Sequence, residues 1–148
     1  MEITIRQPQP GEDESIVVNC HQITPEIMRL LNAFKSLEQG SAVLIGYNEN
    51  EISKVDTTMV FYIETVDNKC FLYCEQNVYE SKQKLYELEE ILSNDDFLRV
   101  SKSAIINLSK VKSLAPALYG RMEAILSNGE KMIISRQYVG ELKKNLGL

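Results

Sequence analysis

The chain has 148 residues, 44% hydrophobic and 25% charged; that length suits one ordinary core with an appendage, and no stretch approaches the ~18 consecutive apolar residues of a membrane span or the apolar run of a secretory leader, so a soluble cytoplasmic protein is expected. Three cysteines, Cys20, Cys70 and Cys74, form an odd count with no tight pairing motif, which fits reduced thiols. The net charge of -5 speaks against a polyanionic partner only as a total: residues 97–148 carry nine basic and three acidic side chains, whereas 41–96 carry four and twelve, and distribution matters more than the sum.

In chain order, Glu2–Arg6 alternates with Ile3 and Ile5 on one side, Gly11–Glu14 is an acidic turn, and Ser15–Cys20 is rich in β-formers, which predicts a hairpin. A helix follows from Thr24 as N-cap, with Pro25 at its first position and Ile27, Leu30, Leu31, Phe34 and Leu37 at helical spacing until Gly40. Residues 1–40 therefore form an expected β-β-α extension whose apolar stripe needs cover. From Ser41 the period changes to that of strands: Ala42–Tyr47 with Ile52–Val55, then Met59–Val66 with Cys70–Gln76, joined by Asn48-Glu49-Asn50 and Asp67-Asn68-Lys69. Asn77–Ser81 adds a short strand and Gln83–Leu92 a short helix. Beyond Phe97–Leu108, Val111–Ala117 is a strand leading into the Pro116–Gly120 loop. Arg121–Leu126 and Lys131–Ile134 flank Asn128-Gly129, a pair suited to a type I′ turn, and Ser135 caps a terminal helix. The expected fold of 41–148 is mostly β, antiparallel sheets with short helices.

Catalytic machinery is hard to assemble from these residues. His21 is the single histidine, and no Gly-rich phosphate loop, Gly-x-Ser-x-Gly turn or His-Glu-x-x-His pattern occurs. Cys70 and Cys74 lie about 13 Å apart along a strand rising ~3.3 Å per residue, too far for one tetrahedral metal. Neither an enzyme nor a cofactor is expected.

The basic turns carry more. Arg136 directly follows the capping Ser135, where a cation opposes the helix dipole by about 0.3–1 kcal/mol, so helix stability does not account for it. Free N–H groups at a helix start can hold a phosphate, and an arginine fork beside them can reach a guanine edge; an exposed arginine in a loose ion pair is the alternative. Lys102 stands between Ser101 and Ser103, hydroxyls suited to phosphate, and Lys69 sits at a hairpin tip.

The run Phe97-Leu98-Arg99-Val100-Ser101-Lys102-Ser103-Ala104-Ile105-Ile106-Asn107-Leu108, followed by Leu126-Ser127-Asn128-Gly129 and Ile134-Ser135-Arg136-Gln137-Tyr138 and preceded by Phe61-Tyr62-Ile63-Glu64, resembles the LytTR family of bacterial DNA-binding domains over about residues 42–148. The resemblance implies a transcription regulator that reads imperfect direct repeats in promoter DNA by placing loops, not a recognition helix, in successive major grooves. Base contacts carried over from it fall on Lys69, Lys102 and Arg136, and backbone contacts on Ser103 and Ser135; Arg99 matches the signature arginine and Asn107 a signature asparagine that reads as a turn former. Arg99, Lys110 and Arg121 complete the expected phosphate contacts. Residues 1–40 are too short for a phosphoacceptor receiver domain, so the resemblance is to the stand-alone branch, whose genes often lie beside one for a small membrane protein. The extension is expected to mediate a homodimer or to dock such an inhibitor, with packing on its own chain as the alternative. The rival reading for the basic third is a protein-interaction surface for an acidic partner.

Overall fold

In the computed structural model, residues 4–39, 42–93 and 95–148 are described, with the backbone alone for 35–39. The chain divides into two compact units, Met1–Ala33 and Phe34–Leu148.

In the first unit, residues 4–20 form no strand, which corrects the expected hairpin; Glu2 and Ile3, its first residues, lie outside the described set. Alternation predicts a strand only where one face is covered, and here Ile5 is 91% and Val17 75% exposed. The acidic turn closes on itself instead: Gly11 has φ +91°, the Gln9 N–H donates to Glu12 Oε2 at 3.0 Å, and Arg6 pairs with the same oxygen at 3.3 Å. Pro8 and Pro10 remove two backbone donors that a ladder would use. The helix α1 (Pro25–Gln39) forms as its cap predicts, with Thr24 Oγ1 accepting from the Ile27 N–H at 3.3 Å.

The second unit is built on ten strands: β1 (Val43–Asn48), β2 (Glu51–Asp56), β3 (Val60–Val66), β4 (Lys69–Cys74), β5 (Val78–Ser81), β6 (Phe97–Arg99), β7 (Ala104–Asn107), β8 (Val111–Pro116), β9 (Met122–Leu126) and β10 (Lys131–Ile134). Seven make one sheet in the order β2-β1-β5-β4-β3-β7-β6, three make a second in the order β10-β9-β8, and every pairing is antiparallel. The helices α2 (Leu85–Ile91) and α3 (Arg136–Asn145) complete it.

The two-residue period of the strands divides the large sheet between two cores. Val60, Ile63, Leu72 and Ile105 pack with Leu85, Leu88 and Leu92 on the α2 side. Phe61, Val100, Ala104 and Ile106 pack with Ala124, Leu126, Ile134 and Leu142, so the small sheet and α3 cover the other side. Asn107 fastens the bottom of this arrangement. Buried to 2% exposure, it donates from Nδ2 to the Val60 carbonyl at 2.8 Å and accepts at Oδ1 from the Ser109 N–H and hydroxyl at 3.1 and 2.7 Å. It forms a turn, as the sequence suggests, and also ties that turn to β3.

The hairpin turns differ in kind. Asp67 and Asn68 both have positive φ, 50° and 62°, the pattern of a type I′ turn. At Asn128-Gly129 only the glycine does, at φ 88°, so the expected type I′ turn is replaced by a longer loop with glycine in the left-handed position. The Asn128 side chain accepts from the Glu130 N–H at 3.0 Å, which a type I′ pair would not need.

Candidate nucleic-acid interface

Three turns converge at one end of the large sheet. Strand β3 enters the Asp67-Asn68 turn at the end where β6 leaves for Val100–Ser103 and β7 begins, as the pairs Glu64↔Ala104 and Arg99↔Ile105 fix. Backbone hydrogen bonds then join the turns: the Thr65 N–H donates to the Ser103 carbonyl at 2.8 Å, and the Ser135 N–H to the Val100 carbonyl at 2.8 Å. The Val100–Ser103 loop is thus the hub between the hairpin that starts β4 at Lys69 and the start of α3 at Arg136.

That loop is internally ordered. Val100 is fully buried, its N–H donates to the Ala104 carbonyl at 3.0 Å, and Ser101 Oγ accepts from the Ser103 N–H at 3.1 Å. Lys102 is exposed at its tip. The side chain of Arg99, 19% exposed, is engaged at each of its three nitrogens: Nε donates to the Ser101 carbonyl at 2.6 Å, one terminal nitrogen to the Lys102 carbonyl at 2.5 Å, and the other to Glu89 Oε2 at 2.7 Å.

Ser135 occupies the N-cap position of α3 with extended backbone (φ -62°, ψ 144°), and its hydroxyl makes no capping bond. The first-turn N–H groups of α3 and that hydroxyl are consequently not spent on each other. Arg136 is exposed and enters no ion pair among the described residues. Its aliphatic stem lies on Gly120, where an added Cβ would fall 2.9 Å from Arg136 Cδ. Gly120 has φ +73° and Tyr119 φ +61°; the Leu118–Gly120 turn therefore needs left-handed backbone where it supports the arginine. Arg121 donates from Nε to the Leu118 carbonyl at 3.0 Å and lies 5.7 Å from the centre of the Tyr119 ring.

The eight residues singled out from the sequence are thus not all together. Lys69, Lys102, Ser103, Ser135, Arg136 and Arg121 belong to the turns at this end, and Arg99 lies beside them with its guanidinium turned to its own chain. Lys110 belongs to the opposite end: it precedes β8, its carbonyl accepts from the Ser127 N–H at 2.8 Å, and its ammonium sits 5.1 Å from the centre of the Phe61 ring. Sequence reasoning missed Gly120 as the seat of Arg136 and Glu89 as the partner of Arg99. The sequence predicts a loop at Pro116–Gly120, but nothing in it names a partner sixteen positions later.

Other groups have ordinary explanations. Among the described residues no cluster of His, Cys, Asp and Glu could hold a metal, and every buried side-chain nitrogen or oxygen has a partner. Cys70 is buried, Cys74 half-buried and Cys20 exposed; burial pushes the Cys74 thiol up. No described helix is long and apolar enough to cross a membrane.

A family model, the LytTr DNA-binding domain, matches residues 50–147. This chain belongs to the LytTr DNA-binding domain family. The match takes in all three converging turns, and the family is one of DNA-binding domains rather than of enzymes. The LytTr DNA-binding domain of a Bacillus cereus protein described as a methyl-accepting/DNA response regulator superposes with a TM-score of 0.69 at 28% identity, covering 74% of this chain and 100% of that one; the mostly antiparallel β architecture is therefore a LytTr fold. The sensory transduction protein LytT of Enterococcus faecalis is 26% identical over 142 residues, 95% of this chain but 58% of that protein. An uncharacterized HTH-type transcriptional regulator of Staphylococcus aureus is 25% identical over 139 residues, 93% of both chains. Despite that name, α2 and α3 of this chain are separated by five strands and do not form a helix-turn-helix.

Proposed function

We propose that this chain regulates transcription by reading double-stranded promoter DNA with the three turns at one end of its large sheet. The observation that carries the reading is their junction: two backbone hydrogen bonds through the Val100–Ser103 loop hold Lys69, Lys102 and Arg136, long cationic side chains, on three separate projections. Projections of this kind suit a major groove, where Arg or Lys pairs with guanine O6 and N7. Ser103, Ser135 and Arg121 flank them as phosphate contacts, and the uncapped first turn of α3 adds backbone N–H donors. Successive turns entering successive grooves suit direct repeats. The protein acts in the bacterial cytoplasm on this reading.

Exposed apolar side chains in the first unit, Ile16 at 69%, Val17 at 75% and Ile23 at 69%, support a further role for residues 1–40 in homodimerisation, with a small membrane-protein inhibitor as the other candidate occupant. Sedimentation of the full chain alone should show a dimer; a monomer at all concentrations removes the first.

For DNA reading, the test is selection of duplexes from a random-sequence library, followed by anisotropy titration of an enriched duplex against a scrambled one. The wild type should prefer the enriched duplex by ~1000-fold or more. Arg136→Ala should lose about 1–3 kcal/mol on it and relax preference at one base position. No enrichment by the wild type overturns the reading.

A further inference from the structure

We propose that Arg99 is a positioning residue rather than a phosphate contact: held by Glu89 on α2, it fixes the Val100–Ser103 loop so that Lys102 is presented to DNA. The inference rests on the DNA-reading function proposed above and concerns how that surface is built. A guanidinium offers donors in a rigid fork, and here each of its three nitrogens meets a different acceptor: the carbonyls of Ser101 and Lys102 and the Glu89 carboxylate. Two consecutive carbonyls turned toward one cation define the path of the loop at the residue that carries the exposed lysine. A lysine ammonium at position 99 would keep the charge but not the fork.

Glu89 orients the fork from a fixed base. Its helix is short, but Leu85 and Leu88 before Glu89 and Leu92 after it are buried in the core, so the carboxylate is anchored by the core while it reaches Arg99 ten positions later. The same loop, through the Ser103 and Val100 carbonyls, accepts the hydrogen bonds that seat Thr65 and Ser135. A loosened loop would therefore affect the placement of the Lys69 hairpin and the start of α3 together with Lys102.

The two roles for Arg99 predict opposite signs for one substitution. Were Arg99 a phosphate contact, Glu89→Gln would release it and remove a negative charge near DNA, so binding to every duplex would tighten or stay the same. As a positioning pair, Glu89→Gln weakens binding to the enriched duplex by about 10-fold, the order of one charge-assisted hydrogen bond, while affinity for the scrambled duplex and the slope of affinity against salt stay as in the wild type. Arg99→Lys, with charge retained, shows the same selective loss, and the double variant is no worse than Arg99→Lys alone because both act through one contact. Glu89 is half exposed and glutamine is its isostere, so the variant should stay folded, with thermal unfolding lowered by only a few degrees. Tightened or unchanged binding by Glu89→Gln overturns the proposal. The clamp itself is also read without DNA, from solvent exchange of the Arg99 Nε–H by NMR: slow in the wild type and faster in Glu89→Gln supports it, and equal exchange overturns it. A wild type that enriches no sequence but shows this difference in exchange would refute the DNA reading and leave the clamp standing.

Discussion

Gly120→Ala tests whether the Leu118–Gly120 turn is the seat of Arg136. Two costs are built into the substitution. At φ +73° an alanine occupies the left-handed region, which costs roughly 1–2 kcal/mol. The new Cβ also falls 2.9 Å from Arg136 Cδ and 3.0 Å from Cγ, closer than such atoms approach, so the arginine stem must move. Gly129→Ala is a matched control. Its φ is +88° and nothing lies within 4 Å of the added Cβ, so it carries the backbone cost without the collision. Both variants should lose about 1–2 kcal/mol in urea unfolding. On the enriched duplex they should diverge: Gly129→Ala binds as the wild type, and Gly120→Ala loses about 1–3 kcal/mol, the range of one bidentate base contact, with relaxed preference at the base position that Arg136→Ala relaxes. Binding of the enriched duplex by Gly120→Ala as tight as by Gly129→Ala would refute the reasoning, because the arginine would then not depend on this turn.

Asn107→Ala removes both the donor to the Val60 carbonyl and the acceptor for Ser109, and should cost about 1–3 kcal/mol in urea unfolding; a loss below ~0.5 kcal/mol would mean that water replaces both bonds. Lys110→Ala gives up the contact with the Phe61 ring, so about 0.5–1 kcal/mol of stability should go, while affinity for both duplexes and the salt slope hold; uniformly weaker binding with a flatter salt slope would make Lys110 a phosphate contact after all. Tyr62 stacks on Tyr73 with ring centroids 4.4 Å apart, and its phenol is held well above the usual range by burial first, then by Glu130, through charge and hydrogen bond, with Tyr73 and Glu64 adding to it. The unfolded phenol ionises near pH ~10, so the stability this group contributes is complete below that pH and is lost as pH rises above it. Tyr62→Phe should flatten the alkaline fall in urea stability; an unaltered profile would show that the phenol does not titrate differently on folding.

Much of this architecture follows from local pattern. Ile63 and Leu72 on one face and Tyr62 and Tyr73 on the other are what a period of two gives when both faces of a strand are covered, and Asp67-Asn68 forms its tight turn because both residues tolerate positive φ. Residues 4–20 carry a similar alternation and form no strand. Alternation states which side could be buried, not that anything is there to bury it, and the prolines at 8 and 10 tilt the balance toward an open turn. The same distinction explains Asn128-Gly129, where the dipeptide permits a type I′ turn but the offset of β9 and β10, pairing Ile125 with Lys131, leaves a longer loop to close.

The candidate site divides along another line. Lys69, Lys102 and Arg136, proposed above as base contacts, come from the resemblance to the LytTR family, and Arg136 stands out besides as a cation set where the helix dipole disfavours it. Arg99 and Lys110 look equally available as charges in a basic third, but availability depends on partners set by tertiary structure. Glu89 reaches Arg99 from a helix on the far side of a turn, and Phe61 lies beneath Lys110 through the pairing of β3 with β7. Counting cations therefore overstates how many face a ligand. With the Arg99 guanidinium paired with Glu89 and bonded to two carbonyls, the turns proposed to read DNA would rely on fewer charges than composition suggests, each on its own turn. A surface of that kind has less to gain from any polyanion and more from one that meets three turns at once, which is the physical basis for expecting selectivity here rather than strong binding to all DNA.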